Sequence, residues 1–192
     1  MFILSQAKGY PDLASRQFLR QVANQNPHIP MLVFVDFDPD GIAIMSTYKH
    51  GSYRLAHEDV THNDTPGLHL PELQWLGVQS QHINRLLVGE GDTQTATPAD
   101  AQGLMRLTAR DRRKAQQMLE WDLCAEGGLE PEWRAELQRM LVLNIKAEMQ
   151  ILDGLHGGFV SWLGNELDVL QGPGSRSRCS VASMDSDDEL IF

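Results

Sequence analysis

The chain has 192 residues, a hydrophobic share of 42% and a formal net charge of -10 at pH 7. That length holds one good core with an appended piece, and no apolar run is long enough to cross a membrane. The acid excess argues against tight, unaided binding to nucleic acid, because phosphate contacts need Lys and Arg.

Residues 1–88 carry 6 Lys/Arg against 8 Asp/Glu, residues 89–170 carry 8 against 14, and the last 22 carry 2 against 4. The first region is therefore nearly neutral and most of the deficit lies beyond it. Met1-Phe2-Ile3-Leu4 is too short for a signal peptide and lacks a basic leader. Cys124 and Cys179 make no metal pattern and fit a reducing compartment, cytosol or nucleus. The seven histidines show no ligand spacing for zinc, and no phosphate-cradling GxxxxGK[ST] loop is present.

In chain order, Phe2–Ser5 reads as a strand. Pro11 and Asp12 open a helix to about Ala23, with Leu13, Phe18, Leu19 and Val22 as its apolar face. Pro27 and Pro30 end it before a strand, Met31–Val35, whose continuous apolar run suits burial on both faces of a parallel sheet. A helix follows from about Gly41 to Tyr48, packing Ile42, Met45 and Ala43 or Ile44 inward. The stretch His50–Pro71 is polar and irregular. Leu73–Val78 is a further strand, and Ser80 caps a short helix to Leu86. Strand, helix, strand, helix, strand describes an α/β fold with a parallel sheet flanked by helices over residues 1–88.

Residues 89–101 form a linker or loop, and 102–171 read as a mainly helical C-terminal part. Thr108 and Asp111 have capping-box spacing for a helix to about Ala125. Pro131 suits a first helical position. Trp133, Leu137, Met140, Leu141, Ile145, Met149 and Leu152 repeat at helical spacing, as do Phe159, Leu163, Leu167 and Leu170. Residues 172–192, rich in Gly, Ser and Asp, read as a disordered tail.

The motif Asp36-Phe37-Asp38-Pro39-Asp40-Gly41 closes the strand that begins at Met31. Side chains two apart on a strand face the same way, so Asp36 and Asp38 project together from its carboxyl end. Open α/β sheets place their ligand sites there. Two adjacent carboxylates repel unless a cation lies between them, and magnesium prefers such hard oxygen donors. Three other readings exist. One is an acidic turn, Pro39, Asp40 and Gly41 being turn residues. Another is a calcium loop, which fails at its twelfth position, where Thr47 replaces the bidentate Glu. The last is an aspartyl phosphotransferase with Asp36 as nucleophile and Asp38 as acid/base, although Asp40 stands where Thr or Val is usual.

Around the motif stand Lys8-Gly9-Tyr10-Pro11-Asp12 with Arg16 and Phe18-Leu19, then Tyr48-Lys49-His50-Gly51-Ser52, then Leu73-Gln74-Trp75-Leu76-Gly77-Val78. This order resembles the Toprim region of the topoisomerase VI A subunit. It resembles more closely the eukaryotic meiotic recombination proteins that make programmed double-strand breaks. The resemblance covers residues 2–88 and continues more weakly through Leu107–Asp111 and Glu148–Leu152.

The resemblance implies transesterification on DNA, in which a tyrosine attacks a backbone phosphate and is joined to a 5′ end. It implies Mg2+ held by Asp36 and Asp38, with Asp40 a weaker candidate behind them, and for Arg16 a DNA contact or a structural salt bridge. Lys8, before the Gly9-Tyr10-Pro11 turn, reads as a DNA phosphate contact, a neutraliser of the acidic cluster or a solvated side chain, and Lys49 as a DNA contact or a basic residue suited to the helix dipole. The implied partners are DNA, a second copy of the chain in a homodimer, and an accessory subunit like topoisomerase VI B; the implied location is the nucleus, with no membrane association. The family's nucleophilic tyrosine and third metal acid, a Glu, are expected upstream of residue 1, in a winged-helix domain and on the first Toprim strand. None of Tyr10, Tyr48 and Tyr53 occupies the nucleophile's motif. A non-catalytic DNA- or partner-binding module is the alternative. The cluster Arg110, Arg112, Arg113 and Lys114 reads mainly as a solvated helix face, and Trp75 and Trp133 as core or interface aromatics.

Overall fold

The computed structural model describes residues 9–51, 67–88 and 102–171. Asp12 accepts a 2.7 Å hydrogen bond from the Ser15 N–H and so caps α1, Leu13–Gln25. The inward side of α1 matches the expected one at Leu19 but not at Leu13 and Phe18. Leu19 and Ala23 pack on the core and Arg16 is buried, whereas Leu13 and Phe18 are half exposed.

Strand β1, Leu32–Phe34, pairs in parallel with β2, Gln74–Gly77. Beyond Phe34 the pairing continues, Val35 donating to the Gly77 carbonyl at 2.8 Å and accepting from Val78 at 2.7 Å. Between the strands runs α2, Pro39–His50. It starts two residues before the expected Gly41 because Asp38 caps it through the Gly41 N–H and Pro39 fills the first turn, where no N–H is needed. Helix α3, Ser80–Val88, follows β2. Ser80 itself does not supply the cap. Its N–H and hydroxyl both donate to the buried Glu136, each at 3.1 Å.

The second region opens on β3, Leu104–Arg106, and α4, Ala109–Leu119. Both halves of the capping box are present: Asp111 N–H donates to Thr108 Oγ1 and Thr108 N–H to Asp111 Oδ2. The helix stops short of Ala125. Turns over residues 120–129 replace its last part, with the Cys124 carbonyl accepting from Arg134 at 2.8 Å. Pro131 begins α5, Pro131–Leu143, as expected.

The helical spacing from Trp133 to Leu152 does not make one helix. Asn144 takes a left-handed conformation (φ 56°) that ends α5. Ile145–Ala147 then forms β4, antiparallel to β3, and Met149–Gly154 a 3-10 helix. The periodic apolar residues still reach one core, because Met140, Ala147, Ile151 and Leu152 are all buried. Helix α6, Gly158–Gln171, lays Trp162 on Phe34 (ring centroids 5.5 Å apart) and on His82 (5.1 Å, edge-on).

A single apolar cluster runs through both regions, joining Phe37, Ile42 and Val78 to Met118, Trp133 and Leu137. Among the described residues no helix is long and apolar enough to cross a membrane. The expected strand Phe2–Ser5, the loop 89–101 and the tail 172–192 lie outside the described residues.

Candidate metal centre

Phe37 is fully buried, and its backbone exchanges two hydrogen bonds with Ala147: Phe37 N–H to the Ala147 carbonyl at 2.8 Å and Ala147 N–H to the Phe37 carbonyl at 3.1 Å. That antiparallel bridge keeps the segment extended past the end of β1. With Phe37 turned into the core, alternation sends Asp36 and Asp38 to the other side. Each carboxylate spends one oxygen on a backbone N–H. Asp36 Oδ1 accepts from Met149 at 2.9 Å, and Asp38 Oδ1 accepts from Gly41 at 2.6 Å. Neither carboxylate forms an ion pair within 4 Å among the described residues.

Gly41 is required by this arrangement. A Cβ there would collide with the Asp36 carbonyl oxygen and lie 3.3 Å from the Val35 Cβ. The first turn of α2 thus folds directly over the end of the strand.

Burial, foremost, pushes the Asp38 carboxyl above the usual carboxylate range, and the charges of Asp40 and Asp36 add to that. The Gly41 N–H and the Lys146 charge oppose the rise without cancelling it. The charges of Asp40 and Asp36 thus act unfavourably on an ionised Asp38, and a hard cation would relieve that repulsion. Magnesium commonly uses one or two carboxylates and keeps several waters. The second oxygens of Asp36 and Asp38 match that donor set. Among the described residues, no group of three or more His, Cys, Asp and Glu side chains assembles as a metal cage.

Two lysines flank the carboxylates. Lys114 of α4 pairs with Asp40 and lies 3.2 Å from the Tyr10 hydroxyl. Lys146 of β4 pairs with Asp111 at 3.0 Å. Sequence reasoning placed Lys114 on a solvated face and did not single out Lys146. No local spacing could have found either contact, because Lys114 and Asp40 are 74 residues apart.

The other expected site residues are placed differently. Arg16 is 4% exposed, with its guanidinium beside Gly51. Lys49 and His50, at the end of α2, both meet Glu130 Oε1 at 2.7 Å, and Lys49 stands 5.6 Å from the Trp133 ring centroid. Lys8 and Tyr53 lie outside the described residues. Tyr48 is buried, which pushes its phenol up, and the Asp12 charge adds to the shift. Trp133 is a core residue, and Trp75 donates its indole N–H to the Gly77 carbonyl at 3.1 Å.

The family model for the Toprim domain of the topoisomerase 6 A subunit/Spo11 proteins matches residues 1–163. Meiotic recombination protein SPO11-1 of Oryza sativa subsp. indica is 35% identical over 159 residues, covering 83% of this chain and 36% of that protein. Meiotic recombination protein SPO11 of Mus musculus is 34% identical over 167 residues, covering 86% and 37%. The DNA topoisomerase 6 A subunit of Arabidopsis thaliana is 30% identical over 159 residues, covering 83% and 32%. The chain thus spans about a third of the length of these curated relatives. With the strand-end carboxylates, the parallel pair and the matched span in agreement, the chain belongs to the topoisomerase 6 A subunit/Spo11 family, in its Toprim domain.

Proposed function

We propose that this chain supplies the Mg2+-binding Toprim site of a DNA-breaking transesterase of the meiotic recombination and topoisomerase VI type. The observation that carries the reading is the Phe37–Ala147 bridge, which sets Asp36 and Asp38 on one side of an extended segment. When bound there, Mg2+ would offset the negative charge that gathers on a phosphate under attack. The chain's own contribution is positional. The Met149 and Gly41 N–H groups hold the two carboxylates by one oxygen each. Asp36 and Asp38 are the proposed ligands, and the attacking tyrosine is assigned to none of Tyr10, Tyr48 and Tyr53. The proposed partners are DNA, a second copy of the chain and a topoisomerase VI B-like subunit, and the proposed setting is the nucleus.

Lys8 and Lys49 are the proposed phosphate contacts, whereas Arg16, only 4% exposed, is assigned a structural role. Lys49 keeps about a fifth of its side chain exposed and would exchange Glu130 for phosphate on binding. Replacing it with Gln should reduce the salt dependence of DNA binding by about one counterion. An unchanged slope would return Lys49 to a purely structural role.

The deciding experiment is a Mg2+ and Mn2+ titration of the chain against Asp36→Asn/Asp38→Asn. The wild type should bind an ion that the double variant does not. Equal responses would remove the metal reading and favour a non-catalytic DNA- or partner-binding module. That second reading draws on the lack of a third cage ligand among the described residues.

A further inference from the structure

We infer that the outward face of α4 around Arg110 and Arg113 is the surface on which the phosphate backbone of a DNA duplex lies beside the Asp36–Asp38 edge. The inference rests on the DNA reading above and adds the surface that seats the substrate.

Charge is the starting point. Residues 106–114 hold Arg106, Arg110, Arg112, Arg113 and Lys114, five of the 16 Lys and Arg residues of this acidic chain, with Asp111 as the one acid among them. Asp111 is withdrawn from the surface. It is buried, closes the capping box with Thr108 and pairs with Lys146 of β4. Arg106, Arg110, Arg112 and Arg113 are exposed, and none of them forms an ion pair within 4 Å among the described residues.

Helix stability does not account for this charge. Cations are favourable near the C-terminus of a helix and unfavourable near its N-terminus. Helix α4 does the reverse: Arg110, Arg112 and Arg113 crowd its N-terminal half, and its last turn has no basic residue. Nor does the helix supply partners. Side chains three and four positions apart are neighbours on a helix, and the positions so spaced from these three arginines hold no Asp or Glu. Arg110 and Lys114 are instead like charges four apart, a destabilising spacing. A basic face held against its own helix fits a polyanion that brings the missing negative charge.

Placement favours a nucleic-acid backbone as that polyanion. Arg110, Arg113, Lys114 and Gln117 are three- and four-residue neighbours on one side of the helix, while Ala115 and Met118 are buried in the core. Lys114 pairs with Asp40 in the first turn of α2, so this side of α4 borders the turn that carries Asp38. A backbone lying on it passes the edge where the ion is proposed to sit, and guanidinium forks suit phosphate oxygens. Arg112 has Thr108, Ala109, Ala115 and Gln116 as its helical neighbours and so stands on the opposite flank.

The test is the salt dependence of binding of the full chain to a short DNA duplex, in buffer free of divalent ions. Each phosphate contact contributes about 0.9 to the slope of log K against log salt. Arg113→Gln should reduce the slope by about one, and Arg110→Gln/Arg113→Gln by about two, with binding weakened about tenfold or more at low salt. Arg112→Gln removes the same charge from the other flank and should change the slope by less than about half a unit. Arg110→Lys/Arg113→Lys keeps the charge and should keep most of the slope. Thermal melts of the Gln variants should match or exceed the wild type, because the replaced charges oppose the helix dipole; where the double variant melts lower, Arg113→Gln alone decides. Polyglutamate of matched charge should displace the duplex poorly. Equal binding of polyglutamate, lost in the same variants, would make this a surface for an acidic protein and overturn the inference. A wild-type slope that Arg110→Gln/Arg113→Gln leaves unchanged, or equal decreases in Arg112→Gln and Arg113→Gln, overturns it while leaving the DNA reading standing. Failure of the wild type to bind the duplex overturns both.

Discussion

Phe37 and Ala147, far apart in the chain, exchange both of their backbone hydrogen bonds, and the two candidate metal ligands flank that bridge. The site therefore depends on residues from both regions of the described chain. Lys146 and Met149, which lie close to Ala147 in the chain, act on Asp38 and Asp36 respectively. The shared core, in which Phe37 and Ile42 join Leu107, Met118 and Leu152, ties the same two regions together. A fragment of residues 1–88 should consequently lack cooperative thermal unfolding and should not bind the ion. A sharp melt and wild-type affinity in that fragment would show that the first region is self-sufficient.

Gly41→Ala should destabilise the chain by about 2 kcal/mol, the range for forcing atoms into a closed space. The added methyl meets the Asp36 carbonyl oxygen, which is backbone and cannot rotate away. The turn would have to open, moving the N–H that holds Asp38. Urea unfolding should show the loss, and ion affinity should fall with it. Unchanged stability would mean that the α2 start has more room than its geometry indicates.

The sequence made the local parts of this site legible. The strand-to-helix turn is signalled by Met31–Val35 followed by Pro39 and Gly41, and the Thr108–Asp111 spacing marks the start of α4. The parts it hid are those decided by tertiary contact. Ile145 continues a helical repeat, but Asn144 adopts a left-handed turn, and three residues then pair with β3. Leu13 and Phe18 look like core residues by spacing, yet α1 turns Arg16 inward instead. The ends of α4 and α5 were hidden for the same reason: side chains and strands far along the chain satisfy backbone groups that a longer helix would have used.

Glu136 is the partner of the α3 N-terminus, and removing it should expose that dependence. It is 4% exposed and accepts from both the Ser80 N–H and the Ser80 hydroxyl. Glu136→Ala leaves two buried donors without an acceptor, a loss of about 3 kcal/mol. Glu136→Gln keeps one acceptor oxygen and should cost about 1 kcal/mol. The Arg139 pair adds little to either figure, because half of the Arg139 side chain is in solvent. Equal denaturation midpoints for the two variants would show that the carboxylate charge, not acceptor geometry, holds the helix.

His82 should make stability fall in mild acid. Its Nδ1 accepts from the Gln79 N–H at 3.0 Å, which places the ring proton on Nε2, a buried atom with no hydrogen-bond partner among the described residues. Burial, foremost, and then the Arg85 charge depress its pKa to about 4. The unfolded chain binds the proton near the ordinary value of about 6.5. Between these values the unfolded state carries more protons, so stability rises with pH and is lost as pH falls from about 6.5 towards 4. The full span amounts to about 3 kcal/mol. His82→Asn offers an acceptor oxygen near the Nδ1 position without a group that titrates in this range. Its urea midpoint should vary less between about pH 7 and about pH 4.5 than that of the wild type, by an amount matching this window. Parallel curves for the two proteins would show that protonation of other groups governs the acid limb.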